Sequence, residues 1–285
     1  MNNIVSIIVL ARNEEDTIRD LLKQLLAERL PKGVKKQLIV FANGCTDKTV
    51  PIVEAMQKRH PTIELFNLNK ASKPFSWTLA QAHAAGDTLV YCDADIKIKR
   101  GSVSALANTL RENPNALVAT SESNLQTQTF LQRAASLGME REQRTDQVGA
   151  IGGFYAIRKG AVREIPLHIL NEDQYIASLI PREKRVHCPK ACFSVSTPTK
   201  LNQILEQKTR VHTGVIQLAQ TDPRILEERN AWKRLKEIWR STTTKEKITY
   251  LPTYLGLATT VRVLAAIRHH RKYYTWKKIK QPKVK

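Results

Sequence analysis

Acid and cysteine side chains are both scarce in this chain, and each shortage narrows the reading. Against 46 Lys and Arg stand only 26 Asp and Glu, a formal charge of +20. After Glu246 acid is missing altogether, while Lys247, Arg262, Arg268, Arg271, Lys272, Lys277, Lys278, Lys280, Lys283 and Lys285 follow. Such an end asks for an anionic partner, whether phospholipid, nucleic acid or another polyanion. The four cysteines (Cys45, Cys92, Cys188, Cys192) are scattered, which excludes a disulfide framework and suits a reducing compartment. The run HCPKAC at 187–192 lacks a second ligand pair, so two ordinary thiols are expected there and zinc is the alternative. The opening MNNIVSIIVLARNEE has no basic leader and its apolar run breaks at Arg12, so it does not read as a secretory signal. No repeat or low-complexity tract appears. What remains is an ordinary 42% of hydrophobic residues in a length that allows one large domain, or one domain with an appendage.

Two patterns alternate through the first half. Apolar, β-branched runs occur at IVSIIVL, QLIVFA, IELFNL, TLVYCDA and ALVATS. Between them lie helical stripes: Ile18, Leu21, Leu22, Leu25 and Leu26; then Val50, Val53 and Met56; then Trp77, Leu79 and Ala82. This alternation predicts a mainly parallel, doubly wound α/β sheet, in which ligands bind at the carboxyl ends of strands. The polar clusters fall at those ends: ARNEE after the first strand, NGCTD after the second, DAD after the fourth.

In LVYCDADIKI, strand alternation predicts that Asp93 and Asp95 point the same way, across a small Ala94. Two adjacent carboxylates repel, and a hard divalent cation is the usual offset; the alternative is a strand ending in a turn. NGCTDKT reads as a glycine turn into a helix capped by Thr46 or Asp47. Gly152 and Gly153 precede another strand, and either admit a ligand or form a bulge. Glu172 and Asp173 open a helix with Tyr175, Ile176 and Leu179, where the helix dipole alone favours acid. A later helical segment carries Gln207, Arg210, His212 and Gly214; a lone histidine on a helix is commonly structural.

In this order, VSIIVLARNEEDTI, FANGCTDKT, AAGDTLVYCDAD, NED and QKTRVHTGVIQ resemble the motifs of the family 2 glycosyltransferases, inverting enzymes of GT-A fold. The resemblance implies a GT-A, Rossmann-like sheet over 1–222 and a helical, basic segment over 223–285. It implies that Arg12, Asn13, Glu14, Asn43 and Asp47 line a nucleotide pocket and that Lys73 lies near the donor diphosphate. Asp93 and Asp95 would hold Mg²⁺ or Mn²⁺, with Asp95 the more direct ligand and His212 completing the metal shell. Asp173 would be the general base and Glu172 its neighbour, while Gly153, Gln207 and Arg210 would lie on the acceptor side. The donor would be a nucleotide sugar, a UDP-sugar being favoured. Ala42 and Asn43 depart from the family's two aspartates, and Val211 replaces the tryptophan of its Q-x-x-R-W segment. The latter departure favours single addition over polymer synthesis.

Residues 250–267 are apolar but carry Pro252, Gly256 and Arg262, which argues against a spanning helix. The basic, aromatic run after them suits an anionic membrane surface and a peripheral, cytoplasmic place at the plasma membrane. The alternative is a helix docked on the catalytic domain with a basic end. A nucleotidyltransferase is the nearest enzymatic rival, but its glycine-rich basic loop is missing from ARNEEDT. No nucleic-acid-binding module is recognisable, so no nucleic-acid partner is expected. Oligomeric state is left open.

Overall fold

The computed structural model describes residues 3–145, 151–220 and 231–270. Its first half alternates as the pattern predicts: β1 (Ile4–Ala11), α1 (Ile18–Ala27), β2 (Lys35–Asn43), α2 (Thr49–Arg59), β3 (Ile63–Leu68), α3 (Lys73–His83) and β4 (Thr88–Asp93). Then come β5 (Ile96–Ile98), α4 (Ser102–Glu112), β6 (Val118–Gln126), α5 (Phe130–Thr145), β7 (Phe154–Arg158), α6 (Glu172–Leu179), β8 (Arg185–Ser196) and α7 (Leu201–Ala219). Among the described residues, α8 (Ala231–Ser241), α9 (Thr244–Thr249) and α10 (Leu251–His270) follow.

The strands form one sheet in the order β3-β2-β1-β4-β7-β6-β8-β5. β1 runs parallel to β2 and β4, β2 to β3, and β6 to β8. Only β7 and β5 run against their neighbours. β1 is buried on both faces, which is why its sequence is an unbroken apolar run. Ile7 and Val9 pack with α1 and α4 through Leu21, Leu22, Leu106 and Leu110. Ile8 and Leu10 pack on the other face with Trp77, Tyr155 and Ile176.

Two expectations are corrected. In α3 the buried stripe is Trp77, Ala80 and Gln81, whereas Leu79 is half-buried and Ala82 exposed. Asp93 and Asp95 do not continue one strand: β4 stops at Asp93, and residues 94 and 95 form a turn. HCPKAC is the middle of β8, bulged opposite Ser121 and Glu122, with Cys188 in the core. Among the described residues no group of His, Cys, Asp or Glu is arranged to hold zinc there.

Basic side chains stitch helix ends to the sheet. Lys36 Nζ donates to the carbonyls of Leu25, Leu26 and Glu28, which end α1. Arg158 donates to the Leu110, Asn113 and Ala116 carbonyls after α4. Part of the positive charge is therefore spent inside, on helix C-termini, where cations are favoured.

α10 packs against α7 and α5, with Leu257 meeting Ala135 and Ile204, and Leu251 meeting Leu137 and Ile238. Arg268 Nη1 reaches Glu206 Oε1 at 3.4 Å. The docked-helix alternative therefore describes residues 251–270. Leu255, Val263, Leu264 and Ile267 remain exposed on α10. No helix among the described residues is long and apolar enough to cross a membrane. The boundary placed at 222/223 and the basic run from Arg271 lie outside the described residues.

Candidate active site

The carboxyl ends of β1, β2 and β4 lie level, since Ala11 pairs with Ala42 and Leu10 with Asp93. Two different polar assemblies grow from this edge.

The first is a clasp between two loops. Asn13 adopts a left-handed backbone (φ 54), which asparagine tolerates better than most residues. Its Oδ1 accepts from the Thr46 amide at 2.7 Å, and its Nδ2 donates to Thr46 Oγ1 at 3.2 Å. Asp47 Oδ1 accepts from the Thr49 amide at 2.9 Å and from Thr49 Oγ1 at 2.6 Å, so it ties down the first residue of α2. The N-cap position itself is Lys48, without a side-chain cap, which corrects the cap expected at Thr46 or Asp47. Asp47 Oδ2 accepts from the Glu15 amide at 3.1 Å, and Glu15 answers by accepting from the Lys48 amide at 3.1 Å. The Glu14 amide donates to Thr49 Oγ1 at 2.7 Å. Most of these bonds are exposed, and only the Glu14–Thr49 bond is buried.

The second assembly is charged. Asn43, the last residue of β2, accepts from the Ser72 amide through Oδ1 at 2.6 Å. Ser72 caps α3 by accepting from the Phe75 amide, and Pro74 suits the first turn. Lys73 is thereby set at the helix start, facing the cleft. Its Nζ lies 2.8 Å from Asp93 Oδ1 and 2.5 Å from Glu172 Oε1. Burial alone would lower the ammonium pKa, but the charges of Asp93 and Glu172 overcome it and hold Lys73 above its ordinary value. Burial pushes Asp93 up to about 6; Lys73 opposes this, while Asp95 and Glu172 reinforce it. For Glu172, burial acts upward but the Lys73 ammonium prevails and holds the carboxyl below its usual range. An aromatic stack backs the group: Trp77 lies 5.0 Å from Tyr91, Tyr91 lies 5.4 Å from Tyr155, and Trp77 Nε1 donates to Tyr155 Oη at 2.8 Å.

Two glycines make room. A Cβ on Gly153 would lie 2.5 Å from Asp93 Oδ2, so only glycine fits against that carboxylate. A Cβ on Gly214 of α7 would lie 2.4 Å from Asn171 Nδ2. Asn171 donates to the Val211 carbonyl at 2.7 Å. Nearby, Gln217 accepts from the Leu170 amide at 3.2 Å and donates to the His168 carbonyl at 2.8 Å. α7 thus grips the segment that opens α6 and presents Glu172 and Asp173. Asn171 and Gln217 were missed in the sequence; the signal available was the asparagine inside NED.

An open cleft of about 830 Å³, solvent at its mouth included, is lined by Arg12, Glu14, Asn43, Lys73, Asp93 and Asp95. Gly153, Asn171, Glu172, Asp173 and Arg210 also line it. Asn13 and Asp47 lie in the clasp rather than on this lining, and Gln207 and His212 stand on α7 outside it. Asp95 makes no hydrogen bond or ion pair to another described residue, unlike Asp93. An uncommitted carboxylate beside a second one suits a hard cation. Among the described residues, however, no three His, Cys, Asp or Glu side chains converge on one point, so His212 does not join the two aspartates.

Solved structures share this architecture. The mannosyltransferase PcManGT from Pyrobaculum calidifontis, in complex with GDP-Man and Mn²⁺, superposes with a TM-score of 0.69 at 15% identity, over 94% of this chain and 87% of its own. S. aureus TarS 1–349, in complex with UDP-GlcNAc, gives 0.56 at 13% identity over 95% and 89%. Glucosyl-3-phosphoglycerate synthase from Mycobacterium tuberculosis, with Mn²⁺, UDP-glucose and phosphoglyceric acid, gives 0.52 at 16% over 76% and 78%. At such identities the likeness speaks for the fold, a GT-A sheet. No curated protein matches the sequence. The model of glycosyl transferase family 2 does match, over residues 6–165, more than half of the chain, and the protein belongs to that family.

Proposed function

We propose that this protein moves one sugar from a nucleoside-diphosphate donor to an acceptor hydroxyl with inversion, in a divalent-metal-dependent reaction. The observation that carries this reading is the convergence of Asp93, Asp95, Glu172 and Asp173 with Lys73 and Arg210 in one cleft at the carboxyl edge of the sheet. The solved neighbours are complexed with donors of both guanine and uracil type, so the diphosphate is their shared chemistry. A UDP-sugar remains the donor favoured by the sequence.

Glu172 pairs with Lys73, and the base role is assigned to Asp173, which lines the same cleft and accepts from the Gln174 amide through Oδ1. As the acceptor oxygen attacks the anomeric carbon, its proton passes to Asp173. The bond from that carbon to the diphosphate oxygen breaks on the opposite face, and its electron pair leaves with the nucleotide. A positioned base of this kind contributes about 10²–10⁴-fold. Mg²⁺ or Mn²⁺ held by Asp95 and Asp93 would supply charge neutralisation at the leaving diphosphate. Lys73, Arg12 and Arg210 add positive charge to the lining of the same cleft.

The acceptor we favour is a lipid-linked or cell-envelope glycan, reached from a peripheral, cytoplasmic position at the plasma membrane. Exposed Leu255, Val263, Leu264 and Ile267 on α10 support that reading, followed in sequence by the basic run. The deciding test is a thermal-shift panel of UDP and GDP with and without Mn²⁺, on wild type and Asp95→Ala. A saturating nucleotide at 100 times its dissociation constant adds about 2.7 kcal/mol. Metal-dependent stabilisation lost in the variant supports the transferase; no shift with either nucleotide sinks it. Sedimentation with anionic but not neutral vesicles tests the membrane part separately.

A further inference from the structure

Two carboxylates side by side need a cation, and the structure already provides one. Lys73 Nζ bridges Asp93 and Glu172 at 2.8 and 2.5 Å, at or below the length usual for charge-assisted hydrogen bonds, with its side chain only 21% exposed. The bridge is built rather than incidental: Asn43 fixes Ser72, Ser72 caps α3, and Gly153 leaves the room that the Asp93 carboxylate occupies. A divalent ion ligated by the same Asp93 oxygen at about 2.1 Å would stand within about 5 Å of the ammonium. Like charges at that separation in a half-buried cleft repel strongly. Asp95 alone is a poor site, and no third protein ligand converges with it among the described residues. A diphosphate changes the balance, because its oxygens bring both the missing ligands and the negative charge that lets two cations sit together.

We propose that Lys73 holds the cation's place at Asp93 in the nucleotide-free protein, so that a divalent metal binds there only in the company of a nucleoside diphosphate. Lys73 is on this account a positioning residue that sets the order of binding. The inference rests on the reading of Asp93 and Asp95 as the metal site. It also accounts for a cleft whose acidic residues outnumber those a metal needs: Glu172 is a second anchor for the ammonium that meets Asp93.

The experiment is a titration of Mn²⁺ into the full-length protein, followed by the electron paramagnetic resonance amplitude of free Mn²⁺, alone and with UDP or GDP. Wild type is expected to bind Mn²⁺ at least about tenfold more tightly with a nucleotide than without, within the usual range of coupling between two sites. Lys73→Met is expected to gain nucleotide-free Mn²⁺ affinity by a similar factor and to lose that gain when combined with Asp95→Ala. Lys73→Arg, which keeps the charge, should behave as wild type. If Lys73→Met folds but binds nucleotide-free Mn²⁺ no better than wild type, while wild type binds it with nucleotide, the metal reading stands and this proposal falls. Should the variant not fold, the wild-type titration still decides, since equal Mn²⁺ affinity with and without nucleotide overturns the proposal. Absence of Mn²⁺ binding in every protein and condition overturns the metal reading itself.

Discussion

The clasp that joins residues 13–15 to 46–49 and the charge cluster of Lys73, Asp93 and Glu172 grow from neighbouring strand ends of one sheet. In the clasp, Asn13, Thr46, Asp47 and Thr49 turn their polar atoms on each other and on backbone amides. In the cluster, charges are packed against charges: burial lifts the Asp93 carboxyl to about 6 against the pull of Lys73, while the Lys73 ammonium outweighs burial at Glu172 and holds it low. Both assemblies looked alike as sequence, polar residues after an apolar run. The difference is in what their atoms are spent on. A motif residue whose oxygens are consumed by amides shapes the loop, and one held only by a neighbouring ion can exchange that ion for a ligand.

Variants sharpen this contrast. The largest effect is expected from Asp173→Asn, which should lower kcat about 10²–10⁴-fold while leaving the nucleotide-induced thermal shift intact, as single-turnover rates and melting curves would show. Gly153→Ala comes next. Its methyl group lands on Asp93 Oδ2, so it should cost about 1–3 kcal/mol in denaturant unfolding and most of the activity. Wild-type turnover in that variant would mean that the Lys73–Asp93 contact is dispensable. Gly214→Ala acts at a distance, through Asn171, and should cost a similar amount of stability with a smaller fall in kcat. The smallest catalytic effect belongs to the clasp. Asn13→Ala should lose about 1–2 kcal/mol from its hydrogen bonds and its left-handed backbone, yet turn over within a few-fold of wild type. If Asn13→Ala abolishes turnover while remaining stable, the division drawn between the two assemblies is broken.

The sequence exposes most of the sheet because β1, β2 and β4 are buried on both faces and must be written in continuous apolar residues. β8 is not legible for the opposite reason: its bulge breaks the alternation, and its Lys, Arg, Pro and Cys residues leave no continuous apolar run. α3 was misphased because its buried face includes Gln81 and Ser76, polar side chains that no apolar stripe reveals. At the site, Asp93, Asp95, Glu172 and Asp173 were legible through the family's motifs, and the structure brings all four to one cleft. The bridge between Asp93 and Glu172 was not legible, because it joins α3, β4 and α6 across long separations in the chain. Nor was the grip of Asn171 and Gln217, which depends on which side of α7 faces the 168–171 segment.

That helix carries a further consequence. One side of α7 is committed near its start, where Ile204 meets Leu257 and Ala135, and another near its end, where Gly214 and Gln217 hold the approach to α6. Adding or deleting one residue between them would swing one side by about 100° relative to the other. Adding about seven would restore the angle but push the two contacts about 10 Å apart. The span from Ile204 to Gly214 therefore works as a fixed ruler, and the outer helices can be redesigned in composition far more freely than this one can be altered in length.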